Sequence, residues 1–186
     1  MKRVLIAIFS LLIFAANQSF AYNVKHFSSD EKIQEALKVL DNCGAQEVLD
    51  NLNEVGVRIQ FCDLMMIDIE AAKDYAISSL DSMGNRVILI NTRYQNSPKE
   101  ALACLIAHES FHKAKKATLS EEVKCTQKEA EYWHKLKNQV TNQTQNDLTK
   151  RLNQLENLYQ TSSQTNNKIE ESIKQNEFYR EQLAIN

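Results

Sequence analysis

The stretch that most constrains this chain is LACLIAHESFHKAKK, residues 102–116, which sets HESFH at the end of a run that is apolar on nearly every side. A helix apolar all round is a buried helix. Residues four apart stand on one helix face a turn apart, so His108 and His112 present two imidazoles to a single point. Buried imidazoles, and a buried carboxylate at Glu109, need partners, because an unpaired polar group in apolar surroundings costs roughly 2–7 kcal/mol. A metal ion is such a partner. Zn²⁺ takes neutral imidazole nitrogen in tetrahedral geometry, and a catalytic site keeps one position for water. Glu109 flanks that position, where a carboxylate takes a proton from the activated water.

A catalytic zinc site wants a third protein ligand. The motif helix is expected to run to Lys116, with Lys113, Lys115 and Lys116 complementing its negative end. Residues 117–119 make a short turn. Ser120 is the expected N-cap of the next helix, with Glu121 and Glu122 in its first turn. So short a turn folds the second helix back antiparallel to the first. His112 and the two glutamates then face each other across the hairpin. Glu122 is the favoured third ligand, and Glu121 competes with it on reach.

HESFH followed by EEVKCTQKEAEYW resembles the gluzincin branch of the zincin metallopeptidases, most of all small exported bacterial proteins of minimal-gluzincin type. The resemblance spans roughly residues 28–136, and the helix pair is its specific part. It implies HExxH on an active-site helix, with Glu122 as third ligand followed three residues later by a small residue, here Cys125. It implies zinc, a peptide or protein substrate, and a phenol or imidazole that stabilises the oxyanion, for which Tyr75, Tyr94 and Tyr132 are candidates. It also implies an α+β fold in which the first helix backs the motif helix and the sheet's edge strand, expected at residues 87–90, borders the cleft. That edge would hold an extended peptide by strand addition, unless it is covered as edges usually are. The chain departs from the metzincin continuation, with Lys115 and Thr118 where Gly and a third His would stand. Its loop between motif and glutamate is also much shorter than in large gluzincins.

Residues 1–21 read as a signal peptide. Lys2 and Arg3 precede an apolar run at residues 4–16 that is too short to span a bilayer, and Ser19 and Ala21 are small residues at the cleavage positions. The mature chain is then expected in the periplasm or outside the cell, with no membrane anchor. It carries 20 Lys and Arg against 24 Asp and Glu, and this mild acidity argues against nucleic acid as partner. Three glycines and one proline in 186 residues point to a mainly helical chain.

Export permits disulfides. Four cysteines allow three pairings, among which Cys43 with Cys62 is favoured as joining a helix end to a strand. Cys104 and Cys125 read as small buried hydrophobes.

The remaining pattern divides the mature chain into a metal-binding domain, residues 22–137, and a polar tail, residues 138–186. A first helix begins after Asp30 and ends at Gly44, and a second covers residues 47–53. Residues 55–61 alternate as a half-buried strand, residues 75–80 read as another, and RVILIN at 86–91 is the clearest. Residues 81–85 form a turn, and Ser97 with Pro98 starts the motif helix. Glu129, two turns beyond Glu122, is a candidate for orienting a ligand or a solvated charge. Leu148, Leu152, Leu155, Tyr159, Ile169, Ile173 and Leu183 keep a 4–3 spacing with polar interruptions, the mark of a long polar helix, a weak coiled coil or a frayed tail. That seam is the expected surface for self-association or for a partner. The rival to a peptidase is therefore a non-enzymatic zincin-like scaffold that works through its C-terminal helix.

Overall fold

The computed structural model describes residues 23–54, 56–113, 118–141, 146–161, 167–176, 179, 180 and 183. The expected signal peptide, and Lys115 and Lys116 of the expected motif helix, lie outside them. Among the described residues the chain is α+β, with six α-helices and one three-stranded mixed sheet.

Helix α1 (Glu31–Asn42) starts where Asp30 accepts hydrogen bonds from the Lys32 and Ile33 backbone N–H groups, and α2 (Gln46–Glu54) follows at once. Gly44 between them has φ 74°, a left-handed conformation that glycine adopts without strain. Strand β1 (Arg58–Cys62) is shorter than the expected 55–61 and ends one residue later. Strands β2 (Ala76–Leu80) and β3 (Arg86–Asn91) form a hairpin. Asp81 fixes its turn by accepting from the N–H groups of Met83 and Asn85.

The sheet order is β1-β3-β2, with β1 parallel and β2 antiparallel to β3. The strand RVILIN is therefore central, and β2 is the strand that borders the helices' cavity. This corrects the placement of residues 87–90 at the cleft edge. The physical reason lies in the strand's composition. Ile88 and Ile90 face the main core while Val87 and Leu89 are covered by Leu64 on the other side. A strand buried on both faces belongs in the middle of a sheet.

Helix α3 (Lys99–Ser110) carries the motif, and every residue from Glu100 to Ser110 is buried. It packs against α1 on one side and against α4 (Leu119–Leu136) on another. Three local expectations are corrected here. Pro98 occupies the cap position of α3, and the Ser97 hydroxyl instead accepts from the Asn146 side-chain amide at 2.6 Å. Thr118, not Ser120, caps α4, its Oγ1 accepting from the Glu121 N–H at 3.3 Å. Helix α3 stops at Ser110, short of Lys116. Its end is held by distant partners: Arg86 Nη2 donates to the Glu109 carbonyl at 2.7 Å, and the Lys113 N–H donates to Glu121 Oε1 at 2.6 Å.

Beyond Leu136 the polar sequence folds into α5 (Asp147–Thr161) and α6 (Asn167–Gln175). Leu148, Leu152, Ile169 and Ile173 of the 4–3 seam are buried, with α5 and α6 packed on α4 and on each other. All four cysteines are free. The favoured Cys43–Cys62 pairing is corrected: the Cys43 thiol donates to the Leu40 carbonyl and the Cys62 thiol to the Asp63 carbonyl, each turned to its own backbone. No helix among the described residues is long and apolar enough to cross a membrane.

Candidate metal centre

The α3–α4 hairpin brings His108, His112 and Glu122 together. His108 closes the last turn of α3. His112 lies just past it, held a turn away by 3₁₀-like backbone bonds from the Phe111 and His112 N–H groups to the carbonyls of His108 and Glu109. Glu122 sits in the first turn of α4 and is buried.

Their donor atoms converge. The two Nε2 atoms are 3.2 Å apart. One Glu122 carboxylate oxygen is 3.4 Å from His108 Nε2 and the other is 3.5 Å from His112 Nε2. Each imidazole thus faces a different oxygen of Glu122, and the separations are close to the roughly 3.3–3.4 Å kept by two ligands of one ion bound at about 2.0–2.1 Å. Glu121 does not join these atoms. It approaches the opposite nitrogen of its histidine, with Oε2 3.8 Å from His112 Nδ1.

Each imidazole thus has a carboxylate behind it. His108 Nδ1 lies 3.1 Å from Glu129 Oε2, an ion-pair distance off the line of a regular hydrogen bond. The ring lies between two buried carboxylates, Nδ1 toward Glu129 and Nε2 toward Glu122. Glu129 is completely buried, so it is not a solvated charge. Arg151 of α5 grips it from the far side through both guanidinium nitrogens, Nη2 at 2.8 Å from Oε2.

The charges follow. Burial pushes His108 down, but Glu122 and then Glu129 outweigh it and hold the imidazole at about 9. His112 is pushed down by burial and by His108. Burial raises Glu109 to about 7 against the pull of His108. Burial likewise works to raise Glu129, but Arg151 and then His108 prevail and hold it at about 2.

Cys125, one turn along α4 from Glu122, is a further member. His108, His112 and Cys125 form a group able to hold a metal ion, one ligand atom from each lying within 4.8 Å of the others. Burial, then the surrounding carboxylates, push its thiol far above the ordinary range. Cys104 is buried without joining this group.

The donors open on a cavity of about 720 Å³ lined by β2 residues, by Leu105, His108, Glu109 and Glu122, and on its far wall by α5 and α6. Tyr179, just beyond α6, lines it and hydrogen-bonds Glu122. Of the three tyrosines named from sequence, Tyr94 and Tyr132 are buried in the core, and Tyr75 stacks on Tyr94 at 4.9 Å. Tyr75 alone of the three lines the cavity. Arg151 and Tyr179 went unforeseen. Arg151 had one visible signal, a charge inside the seam between Leu148 and Leu155; Tyr179 had none, since only tertiary folding returns it to Glu122. Comparison with protein-family models, with curated proteins and with solved structures found no match.

Proposed function

We propose that the chain is an exported zinc metallopeptidase, zincin-like and of gluzincin type, in which His108, His112 and Glu122 hold zinc and Glu109 is the general base. The observation that carries the reading is the convergence of the two Nε2 atoms, 3.2 Å apart, on the Glu122 carboxylate, one oxygen 3.4 Å from His108 and the other 3.5 Å from His112. When bound there, zinc would supply a Lewis acid that acidifies water and polarises a carbonyl. The protein supplies the rest. Glu109 lines the same cavity and titrates near neutrality, the range suited to a base that takes a proton from water and returns it to a leaving amine. Tyr179 brings a phenol to the cavity wall, and its one O–H, directed at Glu122 in this structure, would have to turn from that carboxylate to donate to a developing oxyanion. Strand β2 lines the cavity through Ala76, Ile77 and Ser78, so an extended peptide can lie along it.

The test separates binding from chemistry. Glu109→Gln keeps zinc at wild-type stoichiometry and loses peptide hydrolysis by at least about 10²-fold, the scale of a general base. Hydrolysis at the wild-type rate in that variant would remove Glu109 from the mechanism.

A second reading rests on Cys125. If its thiolate joined the two histidines and Glu122, four protein ligands would close the position that water needs, making the site structural and the protein a non-enzymatic scaffold. Substituting cobalt(II) distinguishes them, because a cobalt–thiolate charge-transfer band appears only in the closed arrangement and vanishes in Cys125→Ala.

A further inference from the structure

Arg151 stands outside the helix pair, yet it reaches the back of the metal centre. Helix α5 delivers it there because Leu148 and Leu152, on neighbouring turns of the same face, are fully buried against the core. The guanidinium makes a two-pronged contact with Glu129 and lies 4.8 Å from the centre of the Tyr75 ring. Glu129 in turn lies 3.1 Å from His108 Nδ1. The chain of contacts is continuous: α5 guanidinium, α4 carboxylate, α3 imidazole.

A buried ion pair is an inefficient fastener. Desolvating both charges costs as much as, or more than, their attraction returns, and well-packed apolar residues often do better. Leu148 and Leu152 on the same helix are buried and apolar, so a leucine at 151 would extend their packing without any charge to desolvate. The carboxylate needs another purpose, and its second contact supplies one. A ring nitrogen facing a fixed carboxylate keeps its proton on that side and leaves the opposite nitrogen as a lone pair. For His108 the opposite nitrogen is Nε2, the atom facing Glu122 and His112.

We infer that Arg151 is a positioning residue of the metal centre: it locks Glu129 against His108 Nδ1 and thereby presents His108 Nε2 as a metal-binding lone pair. This rests on the proposed zinc site and adds to it that the C-terminal helices α5 and α6 are part of the site's construction. A planar fork is required. A lysine supplies charge but only a single point of contact, so it cannot fix both carboxylate oxygens.

The test measures zinc affinity of the full-length mature chain by competition with a chromophoric chelator, with ¹⁵N NMR of the His108 ring reporting its tautomer. Arg151→Met weakens zinc about 10–100-fold, the range for partners that orient a ligand, and Arg151→Lys recovers part of the loss. In the zinc-free proteins, read well above about pH 9 where the ring is neutral, wild-type His108 holds a single Nδ1–H tautomer and Arg151→Met loses it. Glu129→Gln weakens zinc by a similar factor, and the double variant Arg151→Met/Glu129→Gln is no weaker than Glu129→Gln alone, because both act through one contact. The double variant buries no unpaired charge and carries the test if Arg151→Met fails to fold. Zinc affinity unchanged in folded Arg151→Met or Arg151→Lys would overturn the inference, as would losses that add in the double variant. A wild-type protein that binds no zinc would instead overturn the metal site itself.

Discussion

His108 and His112 belong to one motif and share one carboxylate, yet they sit in unlike halves of the molecule. His108 lies within a helix, in a wall built by three helices, with Glu129 and Arg151 behind it and almost no access to water. His112 lies beyond the helix end. Its rear partner, Glu121, is farther away at 3.8 Å and also accepts from the Lys113 backbone in an exposed turn. The inner half is pre-built by tertiary packing, whereas the outer half is made by one short hairpin.

The comparison is easiest to break at the ligands themselves. His108→Ala and His112→Ala each remove a donor atom, so each lowers zinc affinity by more than the roughly 10–100-fold that loss of an orienting partner costs. Calorimetric titration checks this, and equal retention of zinc in either variant would dissolve the pairing.

Next in size is pH. In the metal-free protein the inner imidazole titrates at about 9 and the outer one below its ordinary range. A raised pKa means that His108 is protonated at pH 7 and must release that proton before it can bind, while His112 is already neutral. Zinc affinity therefore rises by up to about tenfold per unit between pH 7 and 9 and levels off above that. Titrations in buffers of different ionisation enthalpy count the proton released. Release of none at pH 7 would contradict the charged state of the inner half.

The orienting carboxylates should differ in the same direction as their burial. Glu129→Gln costs about 10–100-fold in zinc affinity, and Glu121→Gln only a few-fold at most, since a partly exposed pair at longer range contributes little. The reverse order would show that the hairpin, not the three-helix wall, holds the ion.

Much of this is legible in the sequence alone. The apolar run before HESFH implied a buried helix, and the short link to Glu121 and Glu122 implied a hairpin facing the motif. The end of α3 was not legible, because the Glu109 carbonyl and the Lys113 N–H are claimed by Arg86 and Glu121, far away or across the turn. The central position of RVILIN was readable in principle, since Val87 through Ile90 are apolar without alternation, as in a strand covered on both faces. The C-terminal seam was visible as a pattern but not as a destination. A 4–3 spacing fits a partner helix from another chain as well as it fits α4 of the same chain, and only the assembled fold puts Leu148 and Leu152 in the main core. Nothing local in the sequence could tell that Arg151 and Tyr179 would reach the glutamates of α4.

The central claim is that Glu122, and not its neighbour, completes the donor set. Metal content of the purified mature chain by elemental analysis tests it directly, comparing wild type with Glu122→Ala and Glu121→Ala. The expected result is one zinc per chain in wild type and in Glu121→Ala, and none in Glu122→Ala. Zinc retained by Glu122→Ala, or missing from the wild type, would contradict it.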